Sequence, residues 1–81
     1  LVYLTTREFS VLEYLMRFTD RVVTKRELLD NIWDIDYDGD PNIVEVFIRR
    51  IRLKIDVPFS CKSIETVRGV GYRVLDQEIL G

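Results

Sequence analysis

Asn42-Ile43-Val44-Glu45-Val46-Phe47-Ile48-Arg49-Arg50-Ile51-Arg52-Leu53-Lys54-Ile55 is the stretch on which the fold turns. At about 100° per residue, Val44, Ile48, Ile51 and Ile55 fall on one side of a helix and predict its core stripe. Val46, Arg49, Arg50 and Leu53 point the other way, and Arg52 and Lys54 flank the stripe. The helix is expected from about Ile43 to Ile55, with Asp56-Val57-Pro58 stopping it.

Two further helices are legible from cap chemistry. Thr5 with Glu8, Thr24 with Glu27 and Asn42 with Glu45 share one spacing. In each pair the first side chain can accept from an orphan amide, and the glutamate can reach back to the cap. Helix one is predicted from about Thr6 to Phe18, burying Phe9, Leu12, Leu15 and Met16. After Thr19-Asp20-Arg21, Val22-Val23 forms a short β-branched segment. Helix two is predicted from about Lys25 to Trp33, burying Leu28, Leu29 and Ile32. An acidic loop with turn formers Gly39 and Pro41 covers Asp34 to Pro41. Strand-like Ser63 to Arg68, the turn Gly69-Val70-Gly71 and returning Tyr72 to Leu75 close the pattern as a hairpin.

The 81 residues suffice for one small domain, and 47% apolar with 32% charged is a globular balance. No apolar run approaches the roughly 20 residues that a bilayer crossing needs. The absence of histidine excludes Ser-His-Asp and Cys-His catalysis and every His-containing metal site. Cys61 is alone, so it forms no internal disulfide and no Cys-rich zinc site; it fits a reducing compartment and reads as a structural thiol. Gly69-Val70-Gly71 is no nucleotide fingerprint, because no helix follows it. No enzymatic activity and no cofactor are expected.

The formal net charge of −2 conceals a division. Residues 1–41 carry five basic and nine acidic side chains, whereas residues 42–73 carry seven basic and three acidic. A polyanion responds to the local patch, because charges beyond about 10 Å are screened at cellular salt. Outward arginines are ordinarily a solvated face, and a domain used only for protein contact would keep them so. Here the outward face also has the makeup of a helix that reads DNA. Val46 could meet a thymine methyl, an arginine fork could bind guanine O6 and N7, and neighbouring arginines could hold phosphates. Arg68, at a glycine-flanked tip, could enter a narrow minor groove. A helix-turn-helix followed by a basic-tipped hairpin is the winged-helix plan, an α+β fold that is mainly helical.

Asp34-Ile35-Asp36-Tyr37-Asp38-Gly39-Asp40-Pro41-Asn42-Ile43-Val44-Glu45 also satisfies the spacing of an EF-hand calcium loop. Against that reading, Pro41 lacks the amide that pairing with a second loop uses, and no second loop is present. Calcium binding would also leave the arginine face unexplained. No metal site is assigned.

Leu4-Thr5-Thr6-Arg7-Glu8-Phe9, Val23-Thr24-Lys25-Arg26-Glu27-Leu28-Leu29, Trp33, Asn42 to Lys54 and Thr66-Val67-Arg68-Gly69-Val70-Gly71-Tyr72-Arg73-Val74 resemble the effector domain of OmpR/PhoB-type response regulators. The resemblance runs from about Leu4 to Val74. It implies a winged helix that binds double-stranded promoter DNA in a two-component pathway, in the cytoplasm. It implies that Val46 and Arg50 face base edges with Glu45 near them, and that Arg49, Arg52, Trp33, Thr66 and Tyr72 lie at the DNA backbone. Arg68 would enter the minor groove. The loop bearing Asp34, Asp36, Tyr37, Asp38 and Asp40 would face RNA polymerase. Members of the family bind tandem half-sites as dimers, driven by a receiver domain that a histidine kinase phosphorylates.

The sequence departs from the family in two places. A four-stranded sheet usually opens the domain, and here only Leu1 to Leu4 could be its last strand, so the N-terminal sheet is largely missing and apolar surface is expected to lie open. Phe47 stands where the family often has a basic or polar residue. The expected organisation is one winged-helix domain over residues 1–81, with 76–81 as a tail.

Overall fold

A computed structural model of the chain describes residues 3–33, 39–58 and 62–75. The order is α1 (Thr6–Arg17), β1 (Val23–Thr24), α2 (Lys25–Leu28), a π-helical turn (Leu29–Trp33), α3 (Ile43–Ile55), β2 (Ile64–Val67) and β3 (Gly71–Val74). The expected mainly helical architecture with a C-terminal hairpin is present.

The α1 cap forms as the sequence predicts. The Glu8 amide donates to Thr5 Oγ1 at 3.2 Å, and the Thr5 amide donates to Glu8 Oε1 at 2.9 Å. The second pair forms by half: the Glu27 amide donates to Thr24 Oγ1, but the Glu27 carboxylate accepts from Tyr14 Oη and Arg21 instead, both at 2.6 Å. The third pair does not form. Asn42 already has helical backbone angles and makes no side-chain cap. The amides of Ile43 and Val44 donate to the carbonyls of Asp40 and Pro41, and Glu45 turns away to Lys25, Nζ to Oε1 2.5 Å.

The core joins Val11 and Leu15 of α1, Val23, Leu28 and Leu29, Val44, Ile48 and Ile51 of α3, and Ile64, Tyr72 and Val74 of the sheet. Each fully buried aliphatic side chain contributes roughly 1.5–3 kcal/mol. The predicted α3 stripe is the observed one, with Ile55 half-buried at its end. The predicted α1 stripe is met in part: Leu15 is buried and Leu12 packs partly buried against the core. Glu8, Val11 and Leu15 face inward, whereas Phe9 and Met16 are 55% and 56% exposed. Leu12, Met16, Ile55, Val74 and Leu75 instead line an apolar groove.

The sheet is antiparallel in the order β1-β3-β2, with Thr24 opposite Gly71, Val23 opposite Tyr72, and Thr66 opposite Tyr72 on the other edge. Gly71 permits this packing: a Cβ there would lie 2.1 Å from the Val23 carbonyl oxygen and 2.8 Å from Thr24 Cα. The Val70 amide donates to the Val67 carbonyl, and Gly69 at φ 78° supplies the positive angle that a type II turn needs at its third residue.

Two carboxylates link this framework to pH. Hydrogen bonds from Arg21 and Tyr14 hold Glu27 below the ordinary value of 4.5. Burial pushes Glu8 up, but the Lys54 ammonium, 2.6 Å away, and the Thr5 amide outweigh it, so Glu8 too lies below 4.5. A carboxylate depressed in the folded state contributes stability that is present above its unfolded value and lost as pH falls through the folded one. The melting temperature should therefore hold down to 4.5 and drop below it, and Glu27→Gln should flatten that drop. Thermal melts across this range check both outcomes.

Candidate nucleic-acid interface

The α3 face opposite the core stripe is open. Val46 and Leu53 are 40% and 55% exposed, and Arg49 and Arg50 are exposed beside them. Arg50 lies over the Phe47 ring, 5.1 Å from its centroid. Neither Arg49 nor Arg68 has an ion-pair partner among the described residues. The amphipathic pattern produces this arrangement directly: three buried aliphatics fix the helix rotation, and the arginines are left in water.

The hairpin stands on the Glu45 side of α3. Thr24, Lys25, Arg26, Glu45, Thr66 to Gly71 and Tyr72 line one cleft, so Arg68 and the first turn of α3 face the same space. Arg52 fastens the two elements together. Its Nη2 donates to the Ile64 carbonyl and to Thr66 Oγ1, each at 2.8 Å, and its guanidinium lies 6.0 Å from the Tyr72 ring centroid. Tyr72 is only 5% exposed, and burial pushes its phenol above the ordinary value, so it stays neutral as a hydrogen-bonding group.

The residues expected at a DNA interface thus divide into three groups. Val46, Arg49, Arg50 and Arg68 are presented outward. Arg52, Thr66 and Tyr72 sit at the joint between α3 and the hairpin, with Arg52 and Thr66 already bonded to one another. Glu45 is exposed but ion-paired to Lys25, whose own pKa that hydrogen bond raises. Trp33 is half-buried, edge-on to Phe47 at 5.2 Å and covered by Arg7 at 5.1 Å. Asp34, Asp36, Tyr37 and Asp38, expected to face polymerase, lie outside the described residues, as does Cys61. Asp40 accepts from the Asn42 amide at 2.9 Å.

The structure adds Lys25 and Arg26 to the cleft, which the sequence reading did not single out. The signal was available: both follow the capping Thr24 and so stand at the start of α2, beside whatever that helix end faces.

Residues 1–74 match the family model described as "Transcriptional regulatory protein, C terminal". The chain is 45% identical over 73 residues to the transcriptional regulatory protein YkoG of Bacillus subtilis, covering 90% of this chain and 32% of YkoG. It spans about a third of the length of the curated relatives it matches. Its fold is similar to that of the response regulator DrrB, a Thermotoga maritima OmpR/PhoB homologue, at TM-score 0.79 and 33% identity over 93% of this chain and 34% of DrrB. It is likewise similar to the Klebsiella pneumoniae RstA DNA-binding domain in complex with the RstA box, at TM-score 0.78 and 33% identity over 91% of this chain and 74% of that one. With the helical core, the open arginine face and the hairpin beside it, these matches identify the chain as a member of the transcriptional regulatory protein C-terminal family, the winged-helix DNA-binding effector domain of OmpR/PhoB-type response regulators.

Proposed function

We propose that this domain recognises promoter DNA by placing α3 in the major groove and the tip of its hairpin in the adjacent minor groove. The observation that carries this is one arrangement: Val46 and Arg50 are exposed opposite the core stripe, while Arg68 shares a cleft with the first turn of the same helix. In this reading Val46 and Arg50 meet base edges. Arg49 and the cleft cations Lys25 and Arg26 hold phosphates. Arg68 enters the minor groove, whose negative potential favours arginine. Arg52 acts on DNA chiefly by holding Thr66 and Tyr72 against α3, and Glu45 reaches a base only by leaving Lys25.

The domain works by recognition without catalysis, in the cytoplasm. The full-length protein joins it to a receiver domain that a histidine kinase phosphorylates, and dimers occupy tandem half-sites. The acidic loop from Asp34 to Asp40 faces RNA polymerase. Residues 1–81 make up one winged-helix domain in this reading, and the apolar groove along Leu12, Met16 and Val74 is open surface of the kind that a preceding sheet would cover.

The salt dependence of binding tests the interface as a whole. With the three phosphates held by Arg49, Lys25 and Arg26 neutralised, log K should fall against log salt with a slope of roughly −3, a loss of roughly 40- to 60-fold across about a fourfold rise in salt. Fluorescence anisotropy on a labelled duplex measures it. An affinity that barely changes with salt would leave the arginines as solvated charge and the proposal without support.

A further inference from the structure

Four side chains from three elements stack in series beside the outward face of α3. The Arg7 guanidinium of α1 lies 5.1 Å from the centroid of Trp33. Trp33, at the end of the π-helical turn, meets Phe47 at 5.2 Å with the rings 86° apart. Phe47 in turn carries the Arg50 guanidinium at 5.1 Å. The two aromatic residues are half-buried and both arginines are exposed.

We propose that Phe47 is the positioning residue of Arg50: its ring holds the guanidinium in a set orientation towards the base edge, and Trp33 holds the ring. The proposal rests on the reading that Arg50 faces a base. An exposed arginine loses rotamer freedom when it makes a planar, two-bonded contact, and a guanidinium already stacked on an aromatic face has lost part of it beforehand. Phe47 can do this because residues three apart on a helix are neighbours. It has no polar atom of its own for a base or a phosphate, so any influence on sequence choice passes through its neighbours. Trp33 packs edge-on against it and limits its rotation, which a flexible aliphatic side chain in its place would not achieve.

A purely structural Phe47 would make the same contact with Trp33, so the test must separate ring from bulk. Phe47→Leu and Phe47→Met keep apolar volume and remove the π face; Phe47→Tyr keeps it. Each variant is titrated with a duplex that the parent chain selects from a random pool and with its single-base-pair substitutions, alongside Arg50→Ala, which marks the base pair that Arg50 reads. Far-UV circular dichroism and melting confirm folding. The ring-free variants should lose about three- to tenfold of the discrimination at that one base pair. Their salt slope should stay the same, because every cation remains, and Phe47→Tyr should restore discrimination. Ring-free variants that discriminate as the parent does, or that weaken every duplex by one common factor, would overturn the proposal. If Arg50→Ala itself left discrimination intact at every base pair, the base-reading role of Arg50 would fail and this proposal with it, a result distinct from a failure confined to the Phe47 variants.

Discussion

Alanine at Gly71 should lower the melting temperature by about 12–24 °C, corresponding to a loss of about 3 kcal/mol. The reason is local and steric. The new Cβ would lie 2.1 Å from the Val23 carbonyl oxygen and 2.8 Å from both the Val23 carbonyl carbon and Thr24 Cα, all backbone atoms that no rotamer change can move. Either β1 leaves β3 or β3 shifts, and β3 contributes Tyr72 and Val74 to the core. A domain of this size has a total stability of only about 4–12 kcal/mol, so the loss is a large fraction of it. Gly69→Ala gives the comparison. Nothing lies within 4 Å of a Cβ there, and only the positive φ of 78° opposes the side chain, at about 1–2 kcal/mol. Circular dichroism melts of both variants decide the matter: a Gly71→Ala protein as stable as Gly69→Ala would show that β1 and β3 do not pack this closely.

Arg50→Ala should weaken binding to the selected duplex by about 1–3 kcal/mol, or roughly fivefold to 150-fold, with the loss concentrated at one base pair. Arg50 is exposed, and alanine is a good helix former, so the fold should not change. Arg52→Ala makes the instructive contrast. Arg52 donates to the Ile64 carbonyl and Thr66 Oγ1, so its loss should free the hairpin from α3 and weaken all duplexes together rather than relax one position. Anisotropy titrations with single-base-pair substitutions separate the two patterns.

How much of this was legible before the structure depends on which residues had competitors. The α3 stripe did not: Val44, Ile48 and Ile51 are its strongest apolar periodicity, and the helix bounds Ile43–Ile55 agree with those expected. In α1 two stripes are equally lawful. One is Phe9, Leu12, Leu15 and Met16, and the other, sharing Leu15 with it, is Glu8, Val11 and Leu15. Hydrophobicity favours the first, yet the inward face is the second, because Glu8 is satisfied by the Thr5 amide and Lys54 and so can be buried. The cap spacing had the same ambiguity. Thr5–Glu8 closes because Glu8 is turned to its own helix start, whereas Glu27 and Glu45 find partners six and twenty residues away, Arg21 and Lys25.

The candidate site follows the same division. The outward placement of Val46, Arg49 and Arg50 follows from helical periodicity alone. The bonding of Arg52 to the hairpin and the stack running from Arg7 through Trp33 and Phe47 are tertiary contacts between residues 12 to 26 apart, which no local pattern encodes. From the sequence Gly71 is simply part of the hairpin turn, but in the fold it lets β3 approach another backbone closely. The surface it approaches is the protein's own first strand.

In the proposed complex the outward face of α3 and the tip of the hairpin enter one DNA duplex together. Titrating the isotope-labelled chain with its selected duplex and following the backbone amide resonances tests this most directly. The largest shifts should fall at Val46, Arg49 and Arg50 and, in the same titration, at Arg68. Shifts gathered around Glu13 and Arg17 of α1, with α3 and the hairpin tip unchanged, would contradict it.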